Sequence, residues 1–204
     1  MGVQTSDWRS AGAGQVEDLS NLSTFSRGAP ISLASPSAAQ ARFSGRNQII
    51  SGPVAGPIKS NGGAITVTKT GSIAGGPDGV DAVAFSITKL TNRGAINAAA
   101  GAASATGGLG VSNLQTIGAL INTGLIDGGA GGAGSVKGGA GGAGVSNAAG
   151  ATIGSLTNGG AILGGAGGAG GKTGGAGGAG ISNGGTITTL TNSDKIGGGA
   201  ATGQ

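Results

Sequence analysis

The residues of this chain that invite a chemical reading lie in or beside its glycine tracts. Ala166 to Thr173 reads AGGAGGKT, the composition of a loop that wraps phosphates in backbone N–H groups and ends on a lysine. Such a loop needs an apolar strand before it and a helix after it, with the helix N-terminus facing the phosphates. Here GGAGGAG follows, the poorest helix former available, so nucleotide binding is not expected. Asp78 and Asp81 in GGPDGVDAV suggest a calcium turn, but their glycine and aspartate positions are out of register for one, and a solvated turn is the ordinary reading. Asp127 and Asp194 stand alone. With no cysteine and no histidine in 204 residues, thiolate zinc sites, imidazole bases and Ser-His or Cys-His triads are excluded together. The expectation is therefore a protein that is not an enzyme, with no catalytic, cofactor-binding or metal-ligating residues.

Charge points to no polyanionic partner either. The formal charge is +4, but the eleven cations are spread along the chain and form no basic stripe. In the repeat region only Phe85 could interleave with them, so no nucleic-acid partner is expected. No run of 18 apolar residues exists, so no membrane-spanning helix is expected. The N-terminus carries Asp7, Glu17 and Asp18 and lacks the apolar core of a secretory signal, and Met1-Gly2 with Ser6 meets only a loose myristoylation pattern.

What must position any surface of this chain is a repeat. The word I-x-x-L-x-N-x-G-x-I occurs at Ile87, Leu90, Asn92, Gly94, Ile96; at Ile117, Leu120, Asn122, Gly124, Ile126; at Ile153, Leu156, Asn158, Gly160, Ile162; and, with Asp194 replacing glycine, at Ile187 to Ile196. A diverged copy reads Ala64, Val67, Lys69, Gly71, Ile73. Val67, Leu90, Leu120, Leu156 and Leu190 are 23, 30, 36 and 34 residues apart, and the shortest interval is the one without a GGA tract. A basic turn of about 20 residues follows, the length of one coil of a parallel β-solenoid, with the surplus looped out. Leu120, Asn122, Gly124 and Ile126 share parity and so one face of a strand; Ile117, three before Leu120, demands a corner between them. Leucine-rich repeats also place an asparagine after spaced leucines, but their longer word and helical return are missing. The asparagines suit turns, which is the favoured reading, and in successive coils they could also share amide hydrogen bonds along the axis.

A second word, Gly110-Val111-Ser112-Asn113, recurs at Gly144 and Gly180 and in diverged form at Gly79-Val80-Asp81. Its apolar residue adds another inward strand, so each coil buries about four aliphatic side chains, each stabilising by roughly 1.5 to 3 kcal/mol when fully covered. Backbone ordering costs roughly 1 to 2 kcal/mol per residue, so no coil stands without its neighbours.

Between these words lie glycine arms. Gly128 to Gly134 and Gly138 to Gly144 both read GGAGGAG around Ser135-Val136-Lys137, and the next unit repeats the plan around Gly171-Lys172-Thr173. Alanine at every third residue matches the three-residue turn of a polyproline-II helix, which puts the methyls on one edge and leaves glycine edges for close neighbours. The two readings are a packed layer of such helices or a pair of flexible loops. An ordered layer predicts that leucine at Ala130 or Ala166 disturbs it. Residues 98–109 carry the plan in degraded form.

The stretches GAGISNGGTITTLTNSDKIGGG (Gly178 to Gly199) and GVSNAAGATIGSLTNGGAILGGAGGAGG resemble the glycine-rich repeats in passenger domains of bacterial autotransporters and related large surface adhesins. The likeness covers about residues 61 to 199. It implies a right-handed parallel β-helix, displayed at the outer membrane or extracellular, that meets a host or cell-surface receptor or matrix and takes part in adhesion. Two family features, an export signal and a translocator barrel, are not found here, which implies a fragment, a truncated relative or another route of delivery. The glycine arms also resemble the polyglycine layers of phage tail-fibre tip adhesins, in which case Ser135, Val136, Lys137, Lys172 and Thr173 would face the receptor. Low charge and open solenoid ends suit a third reading, a self-assembling structural protein.

The expected fold is thus all-β: a parallel solenoid over residues 60–204, with (GGA)n arms that are polyproline-II-like or loops. Residues 1–59 hold Trp8 and four of the five prolines and read as irregular, with a short helix around Val16 to Leu22 and a capping role as candidates.

Overall fold

The computed structural model describes residues 41–44 and 47–203. The helix suggested near Val16 to Leu22 lies outside these residues. Every regular element within them is a strand.

β1 (Ala41–Ser44) runs antiparallel to β2 (Asn47–Ile50), and from β2 onward all pairing between named strands is parallel. The first coil consists of β2, β3 (Pro53–Ala55) and β4 (Ile58–Lys59); the second of β5 (Ile65–Val67), β6 (Ser72–Ala74) and β7 (Asp78–Ala82). The third holds β8 (Ile87–Asn92), β9 (Ala95–Asn97) and β10 (Leu109–Asn113), and the fourth β11 (Thr116–Asn122), β12 (Leu125–Asp127) and β13 (Val145–Asn147). β14 (Thr152–Asn158), β15 (Ala161–Leu163) and β16 (Ile181–Asn183) form the fifth, and β17 (Thr186–Asn192) with β18 (Lys195–Gly197) opens a sixth. Corresponding strands stack into three sheets: sheet A from β1 and the first strand of each coil, sheet B from the second and sheet C from the third. The chain is a parallel β-solenoid.

Register follows the word. Ile87, Ile117, Ile153 and Ile187 stack, as do Leu90, Leu120, Leu156 and Leu190, and Ile96, Ile126, Ile162 and Ile196. In the third to fifth coils all three residues of each column are buried, while Leu190 in the sixth is 52% exposed because no described coil covers it. The corner demanded by the I-x-x-L spacing is present: Ile117 and Leu120 both point inward, whereas Gly118 and Ala119 between them face out. Val80, Val111 and Val145 of the second word are fully buried in sheet C.

Two expectations are corrected. The coil series begins at Asn47 in β2 rather than at Ser60; its first coil is spelled Gln48, Ile50 and Val54, too far from the word to be read. In the second coil Ile65, not Val67, pairs with Leu90, and Val67 pairs with Asn92. Register returns at Ile73, opposite Ile96, because the turn after Val67 holds two residues more than its counterparts and closes through Gly71 N–H on the Thr68 carbonyl at 3.0 Å.

The asparagines do more than favour turns. Asn92, Asn122 and Asn158 are fully buried, and each Nδ2 donates to Oδ1 of the next asparagine up the axis, at 2.8, 2.8 and 2.7 Å, ending on Asn192. A second ladder runs from Asn113 through Asn147 to Asn183, at 2.7 Å per step. The Oδ1 atoms of Asn92, Asn122 and Asn158 also accept the N–H two residues on, from Gly94 (3.2 Å), Gly124 (3.3 Å) and Gly160 (3.4 Å), so turn and ladder use one side chain. Buried amides are costly unless paired, and here repetition supplies the partner.

Candidate functional site

The arms leave the solenoid where sheet B hands over to sheet C. They span residues 98–108, 128–144 and 164–180, and 198–203 start another outgoing limb. They are ordered by backbone hydrogen bonds of period three. In the second arm the first glycine of each GGA triplet donates to the limb of the next coil, as Gly131 to Ala166 and Gly141 to Ala176, both at 2.8 Å. The second donates across to the opposite limb, as Gly139 to Gly132 and Gly168 to Gly139, both at 2.8 Å. The alanine N–H has no acceptor among the described residues. Three residues per turn without internal hydrogen bonds is the polyproline-II helix, and no arm glycine has a left-handed φ. Outgoing limbs thus form one column, returning limbs a second, and together they make a slab two limbs thick.

Glycine is compulsory inside the slab. A methyl on Gly131 would fall on the Gly139 carbonyl, and one on Gly139 on the Ala105 carbonyl. On the outgoing limbs alanine falls on the third edge, which faces out, and Ala130, Ala133, Ala166 and Ala169 are exposed; on the returning limbs Ala176 and Ala179 are exposed, Ala140 is half-buried and Ala143 is buried. Of the two readings of the arms the packed layer is the one present, and leucine at Ala130 or Ala166 would project into solvent rather than disturb it.

At the outer end the tips stack. Gly134 pairs with Gly170 and Lys137 with Thr173 in parallel bridges, and the N–H groups of Lys172 and Thr173 both donate to the Val136 carbonyl, at 2.9 and 3.1 Å. Ser135, Val136, Lys137, Lys172 and Thr173 are all exposed. The first three line a depression of about 560 Å³ together with Ser104, Thr106 and Ala140; Lys172 and Thr173 lie beside it. Ser104 and Thr106 belong to the first arm, which the sequence carries in degraded form and in which no site residue was singled out. Its position between β9 and β10, where later coils carry their arms, was the available signal. Ser104 turns that arm with a φ of 61°, the one left-handed non-glycine residue among those described.

The other carboxylates have structural places. Asp78 Oδ1 accepts the Leu109 N–H at 2.9 Å, tying the second coil to the third. Asp81 lies in sheet C between Lys59 and Ser112, and no group of three or more metal-ligating side chains forms among the described residues. Asp127 sits at the root of the second arm, where burial raises its pKa above the ordinary carboxylate value. The glycine run ending in Lys172-Thr173 is an arm tip followed by a returning limb. No helix of the described residues is long and apolar enough to cross a membrane. No protein-family model, curated protein or solved structure matches this chain.

Proposed function

We propose that this chain is a non-enzymatic adhesive scaffold of the cell surface or extracellular space, which presents the arm tips to a receptor or matrix. The carrying observation is internal. The second and third arms keep identical GGA limbs, where the slab admits nothing but glycine, while their tips change from Ser-Val-Lys to Gly-Lys-Thr. Constancy at buried backbone and variation at an exposed end suits a rigid support with an adaptable contact surface. A phage tail-fibre tip adhesin is the second reading, favoured by the ordered glycine layer itself.

The test is adhesion of beads coated with the full chain to bacterial and host cells. A variant carrying Val136→Ser, Lys137→Gln, Lys172→Gln and Thr173→Ala should melt within a few degrees of the parent, since all four sites are exposed, and should lose most of the adhesion. Undiminished adhesion by that folded variant would remove the tips from the function.

A further inference from the structure

We infer that the depression at the arm tips is a binding subsite for an acidic saccharide, a ligand class that rests on the adhesive reading and narrows it. Its size falls in the range of small-molecule sites, about 300 to 1,000 Å³. Lys137 carries the single charge among its lining residues, and no carboxylate opposes it, so the favoured ligand is an anion. Ser104, Thr106 and Ser135 add three hydroxyls able to donate and accept, the complement of a polyol. The backbone contributes as well. Ala140 and Ala176 line the depression, and their N–H groups, left over from the two directions the slab uses, have no acceptor among the described residues. Their methyls, with Val136, offer a small apolar patch for the C–H face of a sugar ring.

The serine at the turn points the same way. In a chain of 51 glycines, the left-handed position of the first arm holds Ser104, which bears a steric cost that glycine would not. A hydroxyl at a strained position on the wall of a depression is suited to contact. No aromatic side chain lines the site, which argues against a stacked nucleobase.

The experiment is a titration of the full-length, 15N-labelled chain with a uronic-acid-containing tetrasaccharide, a neutral tetrasaccharide and inorganic sulfate. The acidic saccharide should shift the Ala140 and Ala176 amides; Lys137→Gln should weaken it about tenfold, and Lys89→Gln, an exposed cation of sheet A, should not. Equal binding of the neutral saccharide, equal shifts with sulfate alone, or equal losses from both lysine variants would each overturn the subsite. If the tip variant loses adhesion but the parent shows no saccharide shift, the subsite fails and the adhesive reading survives; if adhesion ignores the tips, that reading fails by itself.

Discussion

The solenoid and the slab that grows from it are stacked by opposite means. In the solenoid, aliphatic columns such as Leu90, Leu120 and Leu156 vanish from solvent, and the chain gains roughly 1.5 to 3 kcal/mol per side chain. In the slab scarcely a side chain is buried, and cohesion comes from N–H to carbonyl bonds at 2.8 to 3.2 Å, each worth roughly 0.5 to 1.5 kcal/mol net. Glycine gives up more conformational freedom on ordering than any other residue, so a free slab would be marginal. Each limb bonds to the limb one coil up, so the solenoid's rise, roughly 4.8 Å, fixes the slab's spacing. The side-chain core thus acts as the template for the backbone lattice.

Breaking the template should cost most. Leu156→Ala empties a fully buried position between two coils and should lower stability by about 2 to 5 kcal/mol in urea unfolding followed by circular dichroism, with slab amides losing hydrogen-exchange protection as well. Breaking the lattice should cost less and stay local. Gly139→Ala places a methyl on the Ala105 carbonyl and should cost about 1 to 3 kcal/mol, with exchange rising at Gly139 and Gly142 while sheet A stays protected. Its partner substitution, Ala130→Leu, should change stability by less than about 0.5 kcal/mol; an equal loss from both would mean the slab's faces are as crowded as its interior.

The smallest effect lies at the junction. Asp127 has a raised pKa because of burial, so between its ordinary value of 3.8 and the raised one the folded state holds more proton than the unfolded state. Stability must therefore fall as pH climbs through that window and level off above it. Asp127→Asn should flatten that slope and slightly raise the urea midpoint at neutral pH; an unchanged slope would place the titrating group elsewhere.

Much of this was legible before any coordinates, for a reason particular to repeats. Four inward positions per coil could be read because each recurs at the same parity, and the corner after Ile117 because three residues cannot separate two inward side chains on a flat strand. Equal GGA arms matched the three-residue turn, with flexible loops as the other reading. What escaped depends on partners in other coils. Asn92 and Asn122 read first as turn residues and second as a ladder, and they are both; the choice could not be made from one coil, because a buried ladder exists only when a second amide lies at the same register. Val67 was misaligned because its turn is two residues longer, and the correct pairing restores a simple sequence: Ile50 and Val67 are the apolar floor on which the asparagine ladder begins. Ser104 and Thr106 were missed because their arm no longer spells its period.

One consequence follows from the outward alanines. A pure polyglycine lattice has three equivalent bonding directions and no natural limit to its breadth. In this protein the outgoing GGA limbs carry an exposed methyl at every third residue, at Ala130, Ala133, Ala166 and Ala169, and Ala176 and Ala179 do so on the last returning limb, so an additional sheet of limbs laid there would be held off by carbon. The lattice can lengthen with each coil but cannot widen, which keeps a sequence rich in an aggregation-prone motif as a ribbon of fixed width.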